Sequence, residues 1–526
     1  MRFFDYIEWF LILLSCPVLF SFFLRVIDVF LQGIYAWRLN GTTGKLSAEP
    51  TAVSDITPNP AFLLKHPTQN IVYASTECIH EEGCGSVVTL ALDPSTGRLT
   101  EVSRTSAGGR STCYLTLHSP LGSEEANKAA SLSTDGIESK SDSSSRPEEN
   151  GNESLVLAVV NYWDAIVSVL PIAAGTGEAQ EVSHTHMQPG AQYVFDAQPD
   201  RVEHWTHRQR WPHTHCFVSE PYPTSVEAGR GGPSQVHLVP DLGADVVWAY
   251  RLAGPQGLTL QQCGGVQLEK AQGPRHLVFH PVHKVVYVIN ELKSTVSCLE
   301  YHADRVPLAR ESDDNAEKHD ATLYDASADP AKAFLVHAQT LRTLPEGFDS
   351  SDHHKSHASE IRLHPSGRWL LIANRGHDSL ACYAIDADTG KLTTQHITPS
   401  GGAFPRNFNF DATGRWVVVG NQNSNCLTVF AFDVDGDGSL LEVDSKPQPS
   451  PNYVYPLPQA LAPQPRSAGA FNAAVRSNDG LEALDFSSAT KPVLADDRAS
   501  RSTSSLDGSG SSPDASPPSS PSPTRR

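Results

Sequence analysis

The chain has 526 residues, of which 39% are apolar, 19% charged and 8% aromatic, and its formal net charge is −19. This much apolar material excludes wholesale disorder, and the acidic balance argues against a nucleic-acid binder, which needs clustered Lys and Arg. Nine scattered cysteines, without close pairs at zinc spacing, indicate reduced thiols of an intracellular protein rather than a disulfide scaffold.

Residues 1–32 form an apolar N-terminal segment in which Trp9 to Leu24 carry no charge. The uncharged run is interrupted by Pro17 and is shorter than the roughly 20 apolar residues of a membrane-spanning helix. It also lacks the positively charged start of a signal peptide. Three interpretations stay open: a membrane anchor, a gene-model artefact and a buried structural segment. We expect a cytoplasmic protein, with anchoring through residues 9–24, and membrane contact only there, as the alternative.

From Gly33 onward, short β patterns recur along the chain. An alternating strand, a polar or acidic turn and a Gly-x-Leu ending are predicted at four places: 33–46, 85–99, 379–392 and 426–440. A second unit, strand, Gly-Arg-Trp turn, strand and Asn-containing loop, is shared by 360–378 and 407–425. Multi-strand units repeating about every 40–50 residues are typical of propeller blades. We therefore predict an all-β fold, a seven-bladed β-propeller over residues 33–457.

The predicted propeller carries disordered insertions and a disordered tail. Residues 121–153 are rich in Ser, Glu, Lys and Asp and nearly free of apolar residues, which indicates a disordered loop. Residues 304–355 are mixed and acidic, and we expect a long surface loop there. Residues 458–526 form a Ser/Pro-rich tail that cannot bury a core.

Candidate functional residues lie beside strands, where the loops of a propeller converge on its central channel. His213 and His215 are two apart and can share one face of a strand, which suits a general base or an anion contact. Arg275 and His276 precede an apolar strand, and the arginine can grip a carboxylate or phosphate. Glu291 ends the return strand, so it can lie near Arg275 and stay ionised. Satisfied histidines and structural ion pairs are the alternatives.

Three further candidates lie at matching places in later units. Arg375 and His377 belong to ANRGHD, and Arg406 in FPRNF repeats the Pro-Arg motif of Arg275. A solvated loop charge is the alternative for each. Together, the basic residues and one carboxylate would suit a small, multiply anionic substrate. The chain lacks a glycine-rich phosphate loop, a Gly-x-Ser-x-Gly elbow and a His-Glu-x-x-His motif, so we expect no metal or organic cofactor.

Four longer runs together resemble one family, the seven-bladed propeller lactonases (cycloisomerase 2 family). They are GPRHLVFHP…VVYVINEL, VPDLGAD at 239–245, SEIRLHPSGRWLLIANRGHD at 359–378 and FPRNFNFDATGRWVVVGNQNSN at 404–425. The family includes 6-phosphogluconolactonase and carboxy-cis,cis-muconate cyclase, and the resemblance covers residues 33–457. By resemblance, the histidine, two arginines and glutamate proposed for the cyclase branch fall on His215, Arg275, Arg375 and Glu291.

The resemblance implies a lactone hydrolase, with 6-phosphoglucono-1,5-lactone as the expected substrate. Asp-Leu-Gly-Ala-Asp and Asn-Glu-Leu are closer to the phosphogluconolactonase branch than to the cyclase. Arg275 and Arg375 would hold the anionic substrate and the developing oxyanion, and Glu291 or His215 would activate water. His213, His276, His377 and Arg406 are expected to bind the substrate. The alternatives are muconate cyclisation of a carboxylate substrate and a non-catalytic propeller that binds proteins through its rim.

Overall fold

The computed structural model describes residues 7–14, 33–55, 59–77, 85–119, 155–191, 208–222, 235–307, 322–349 and 355–457. Over these ranges the chain is almost entirely β, with two short 3₁₀ turns at Pro255–Gly257 and Ala303–Arg305. The strands form seven sheets of four or five strands each. The all-β propeller prediction is confirmed.

Sheets 1 to 3 follow one another along the chain, and all their neighbouring strands are antiparallel except the last one added to sheet 3. Sheet 1 contains Pro60–Lys65, Ile71–Thr76, Ser86–Leu92 and Leu99–Ser106. Sheet 2 contains Thr112–His118, Leu155–Asn161, Ile166–Ile172 and His184–Met187. Sheet 3 contains Val218–Ser219, Val236–Asp241, Val246–Ala253, Thr259–Gln267 and the parallel strand Leu323–Asp325.

Sheets 4 to 6 are four-stranded and antiparallel throughout. Sheet 4 contains Pro274–Phe279, Val285–Asn290, Thr295–Tyr301 and Leu335–Arg342. Sheet 5 contains His357–Leu363, Trp369–Arg375, Ser379–Ile385 and Leu392–Pro399. Sheet 6 contains Pro405–Phe410, Trp416–Asn421, Cys426–Phe432 and Leu440–Pro447.

The seventh sheet, here called the closing sheet, combines strands from both ends of the described chain. Its order is Pro451–Leu457, Ile7–Leu14, Ile34–Asn40 and Ala52–Ser54. Ile7–Leu14 therefore has an antiparallel partner on each side. Pairing the two chain ends in one sheet removes the open edge that an unclosed ring would present.

The expected propeller boundary at residue 33 is thus wrong, because Ile7–Leu14 is an internal strand of the closing sheet. For residues 7–14, these pairings favour a structural segment among the three interpretations. Among the described residues, no helix is long and apolar enough to cross a membrane. Residues 15–24 of the predicted anchor lie outside the described ranges, as do the predicted loop at 121–153 and the predicted tail at 458–526.

The expectation of one long surface loop over 304–355 is also wrong in part. Leu335–Arg342 is the outer strand of sheet 4, paired with Thr295–Tyr301, and Leu323–Asp325 adds to sheet 3. The outer strand, LVHAQTLR, alternates buried or half-buried positions with exposed ones. Only one face of such a strand packs on its neighbours, so its sequence is polar enough to be mistaken for a loop.

The first strands of successive sheets contact one another around a common axis. The contacts run in turn through Thr112–His118, Pro60–Lys65, Pro451–Leu457, Pro405–Phe410, His357–Leu363 and Pro274–Phe279. Apolar side chains fill the space between neighbouring sheets, as where Tyr287 and Ile289 of sheet 4 meet Ile372 of sheet 5. The cores therefore lie between the sheets, and the first strands surround a central channel.

The repeated Gly-x-Leu and Gly-Arg-Trp units are explained by one contact between sheets. The indole of Trp416 donates a hydrogen bond of 2.9 Å to the carbonyl of Gly41 in the next sheet. The same ring lies so close to Gly44 that an added Cβ would come within 2.4 Å of it, and Gly44 has a φ of +69°. Gly438 meets Trp369 in the same way, with a φ of +76°. Only glycine satisfies both the close approach and the left-handed turn.

We expect a variant lacking residues 2–14 to have an unfolding temperature at least about 5 °C below that of the full chain. The deletion removes the strand between Pro451–Leu457 and Ile34–Asn40, so Pro451–Leu457 loses its sheet partner and Ile34–Asn40 keeps only Ala52–Ser54. Thermal unfolding followed by circular dichroism measures the difference. A matched deletion of residues 2–6, which keeps the strand, is the control. Equal unfolding temperatures for the two deletions would contradict the structural role of Ile7–Leu14.

Candidate active site

Glu291 is the centre of a buried charged cluster at the channel. It follows the strand Val285–Asn290 directly and is only 1% exposed. Arg275 comes one residue after Pro274, which pairs with Asn290, and its Nε lies 2.9 Å from Glu291 Oε2. Nη2 of Arg375 lies 3.0 Å from the same oxygen. The structure therefore brings together three of the four residues predicted to be catalytic.

Arg208 is a third guanidinium on the same carboxylate and was not predicted. Its Nη1 donates to Oε1 of Glu291, the oxygen that Arg275 and Arg375 leave open. About a third of its side chain is exposed, against 6% for Arg275 and Arg375. Arg208 lies in HRQRWPHTH, so the density of basic residues just before His213 was the signal that could have found it.

The cluster carries more positive than negative charge. Three guanidinium groups and one carboxylate give a formal charge of +2. Burial raises the pKa of Glu291, but Arg375, Arg208 and Arg275 outweigh it and hold that pKa well below its usual range. Burial also lowers the pKa of Arg375 to about 9, with Glu291 opposing the shift. An anion placed beside the cluster would therefore be stabilised electrostatically.

His215 and His276 lie side by side next to this cluster. His276 Nε2 is 3.2 Å from His215 Nδ1, and the rings meet edge to face at 4.9 Å. Burial, with the positive charge of Arg275 next, lowers the pKa of His276 to about 4 and that of His215 well below its usual range. Both imidazoles are therefore neutral at physiological pH, so they can accept protons.

Arg406 faces the channel from sheet 6 and contacts Glu77 at 3.4 Å. Glu77 in turn accepts a 3.0 Å hydrogen bond from the hydroxyl of Ser111. A cavity of about 30 Å³ lies between these groups and His215, and its lining also includes Arg275, His276, Glu360 and Cys113. This volume holds about one water molecule, so a larger ligand must contact the cluster from its open side, where Arg208 is exposed.

A second cavity, of about 400 Å³, opens where the first strands of sheets 3 to 6 end. Val218, Phe279, Leu363 and Asn409 are among its lining residues. His276 and Glu360 line both cavities. These two side chains therefore separate the charged end of the channel from the opposite end.

His213 and His377 do not line either of these cavities. The His213 ring stacks on Tyr162 at 4.6 Å, and its Nδ1 is 3.2 Å from the Tyr162 carbonyl oxygen. His377 Nδ1 lies 2.7 Å from the hydroxyl of Ser379. These contacts are those of satisfied histidines, and a substrate-binding role for either residue stays a prediction.

A family model described as "Lactonase, 7-bladed beta-propeller" matches residues 30–122 and 127–456. The chain belongs to this lactonase family. The resemblance found in its motifs is confirmed. Among curated relatives, 6-phosphogluconolactonase of Bacillus subtilis is 24% identical over 385 residues, which are 73% of this chain and 82% of that protein.

Solved structures of similar proteins support the same fold. A periplasmic gluconolactonase of Pseudomonas aeruginosa has a TM-score of 0.60 and 24% identity, over 86% of this chain and 99% of that one. A putative 6-phosphogluconolactonase of Bacteroides fragilis has a TM-score of 0.58 and 21% identity, over 86% and 98% of the two chains. At these identities the likeness establishes the fold.

We expect Glu291→Gln to destabilise the protein by about 3–5 kcal/mol, because it leaves buried guanidinium groups without their carboxylate. Since the folded pKa of Glu291 is lowered, its stabilisation is complete above about pH 4.5 and is lost as the pH falls further. Urea unfolding of both proteins between pH 7 and pH 3.5 should show the difference shrinking with acidification.

The control is Glu101→Gln, which removes a surface carboxylate paired with Arg104 at 2.8 Å. Such exposed pairs contribute little, so this variant should stay within about 0.5 kcal/mol of the wild type. A Glu291→Gln protein as stable as the control would show that the buried cluster does not depend on its carboxylate.

Proposed function

We propose that the protein hydrolyses an anionic sugar-acid lactone, and specifically 6-phosphoglucono-1,5-lactone. One observation carries the proposal: a buried cluster with a formal charge of +2 lies beside a neutral histidine in the channel of a chain whose net charge is −19. Guanidinium groups bind phosphate and carboxylate oxygens in paired hydrogen bonds. The cluster therefore suits a substrate that carries negative charge and develops more of it during reaction.

His215 is the better of the two candidate bases. Both carboxylate oxygens of Glu291 are occupied by guanidinium groups, so neither is available to accept a proton from water. His215 is neutral and lines the small cavity beside Arg275. In this proposal His215 takes the proton of the attacking water, and Glu291 is a positioning residue that holds Arg275 and Arg375 in place.

The reaction then follows from these positions. The oxygen of water bonds to the lactone carbonyl carbon while His215 accepts the proton, and the carbonyl oxygen becomes an oxyanion. Arg275 and Arg375 stabilise that oxyanion. The bond between the carbonyl carbon and the ring oxygen then breaks, and the proton held by His215 passes to the leaving ring oxygen. The product is the open-chain hydroxy acid, with no change in oxidation state.

The comparisons support the reaction class. The chain belongs to a lactonase family, and its B. subtilis relative carries the name 6-phosphogluconolactonase. We also infer that the seven sheets are the seven blades that the family description states. The cyclase alternative uses the same arginines on a carboxylate substrate, and the substrate comparison below separates the two.

The non-catalytic alternative predicts arginines that pair with carboxylates of the sheets and leave no open pocket. The small cavity is lined by His215 and Arg275 but by neither Glu291 nor Arg375. Arg275 and Arg375 do pair with Glu291, as that alternative requires. A structural ion pair, however, needs one cation for each carboxylate, and a third guanidinium only adds repulsion and desolvation cost. The excess of guanidinium groups over carboxylates around Glu291 therefore favours anion binding.

We expect the wild type to hydrolyse 6-phosphoglucono-1,5-lactone well above the spontaneous rate, and to act less efficiently on unphosphorylated gluconolactone and on carboxy-cis,cis-muconate. Arg375→Gln should lower kcat/KM for the phosphorylated lactone by roughly 10²–10³-fold, because it removes a charged contact to the substrate or oxyanion. Acid release in a weakly buffered assay measures the rate.

The control for this substitution is Arg104→Gln, which removes a surface arginine of sheet 1. It should leave kcat/KM unchanged. A wild type no faster than the spontaneous reaction, or faster on the muconate than on either lactone, would overturn the proposed substrate.

The pH dependence should identify His215 as the base. Its pKa lies well below 6.5, so the neutral form persists below that pH and kcat/KM should stay high there. Activity should fall only on stronger acidification, as His215 becomes protonated. His215→Gln should lose activity by roughly 10²–10⁴-fold with no recovery at any pH. A fall of wild-type activity centred at or above pH 6.5 would contradict a buried neutral base.

A further inference from the structure

Glu360 lies in sheet 5 and contacts His276, the histidine that lies beside His215. Its Oε1 is 3.1 Å from His276 Nδ1, and His276 Nε2 is 3.2 Å from His215 Nδ1. All three side chains line the small cavity. Glu360, His276 and His215 thus form a continuous hydrogen-bonded row, here called the relay, from a buried carboxylate to the proposed base.

The Glu360 carboxylate is held in its ionised, acceptor-only form. Oε1 also accepts a 3.0 Å hydrogen bond from the Ile361 backbone N–H. Oε2 accepts from Arg362 at 3.4 Å and from the side-chain amide of Asn407. The Asn407 amide is oriented by the Val454 backbone N–H, which donates to its Oδ1 at 2.9 Å. Every one of these neighbours is a donor, so Glu360 can only accept from His276.

The charges around His276 favour its neutral form. Nη1 of Arg275 is 3.3 Å from both ring nitrogens, so a positive charge already lies against the ring. A second proton on the ring would place two positive charges in contact in a buried site. Burial raises the pKa of Glu360, but the charge of Arg362 and the hydrogen bond from His276 outweigh it and lower that pKa to about 2. Glu360 is therefore ionised beside a neutral imidazole.

These constraints determine where each proton lies. An ionised Glu360 requires a proton on His276 Nδ1, so His276 Nε2 carries a lone pair. That lone pair requires a proton on His215 Nδ1, which leaves the lone pair of His215 on Nε2. We infer that Glu360 and His276 are positioning residues that hold His215 in the Nδ1-protonated tautomer, with Nε2 as the basic atom. The catalytic consequence rests on the proposed function, but the tautomer does not.

Glu360→Gln should reverse the direction of the hydrogen bonds along the relay. An amide must direct its NH₂ group toward one side of the former carboxylate. On the Oε2 side it would oppose two donors, Arg362 and Asn407, whereas on the Oε1 side it opposes only the Ile361 N–H. The NH₂ group therefore faces His276 and donates to Nδ1. His276 must then carry its proton on Nε2 and donate to His215, whose own proton moves to Nε2.

The test is nitrogen NMR of the full-length protein carrying isotope-labelled histidine at neutral pH, with His215 and His276 assigned from His215→Gln and His276→Gln. In the wild type we expect both residues neutral and protonated on Nδ1. In Glu360→Gln we expect both protonated on Nε2, with kcat for the lactone lower by roughly 10³-fold and KM within about twofold. Glu101→Gln, at the surface of sheet 1, is the matched control and should change neither measurement.

The outcomes separate the relay from the proposed function. An Nε2-protonated His215 in the wild type, or unchanged tautomers in Glu360→Gln, would overturn the relay whatever the activity. The expected tautomers in a protein that hydrolyses no lactone would support the relay and overturn the proposed function. If Glu360→Gln does not fold, the wild-type spectrum alone decides, because the inference already predicts both tautomers there.

Discussion

The contact on which the candidate site depends is a single buried carboxylate shared by three guanidinium groups. Removing four charges from water is costly, and one carboxylate cannot neutralise three cations. The arrangement persists only because Arg275 and Glu291 are anchored at the ends of strands in sheet 4 and Arg375 at the end of a strand in sheet 5. Those strands are themselves buried between neighbouring sheets. The rigid ring thus holds these guanidinium groups close together, whereas on a flexible loop they would move apart into solvent.

The ring gains that rigidity from contacts repeated between its sheets. Tryptophan rings rest on left-handed glycines of the following sheet, as Trp416 does on Gly44. The closing sheet joins Pro451–Leu457 to Ile7–Leu14 and so unites the two ends of the described chain. Each first strand then begins at the same end of the channel, which is where the polar side chains gather. The same repeated sheet unit therefore determines both the packing between sheets and the position of the site.

The surroundings of each polar group in the channel determine its protonation state. The arginines stay charged because a carboxylate touches them, and they suit anion binding. The histidines stay neutral because burial and Arg275 oppose a further charge, and they suit proton transfer. Glu360 stays ionised because donors surround it, so it directs the proton of His276. Side chains within a few ångströms of one another thus take different protonation states.

Much of the fold could be predicted from the sequence, because strand alternation, Gly-x-Leu turns and a repeat of blade length are local patterns. The proximity of Arg275 to Glu291 was also predictable, since a strand, a turn and a return strand bring them together. IEWFLILL could not be assigned, because a mostly apolar run is equally compatible with an anchor and an internal strand. Arg208 and Glu360 were missed because their partners are distant in sequence. Only the packing of neighbouring sheets decided which guanidinium groups share the Glu291 carboxylate and which nitrogen of each histidine carries a proton, because both depend on contacts between sheets.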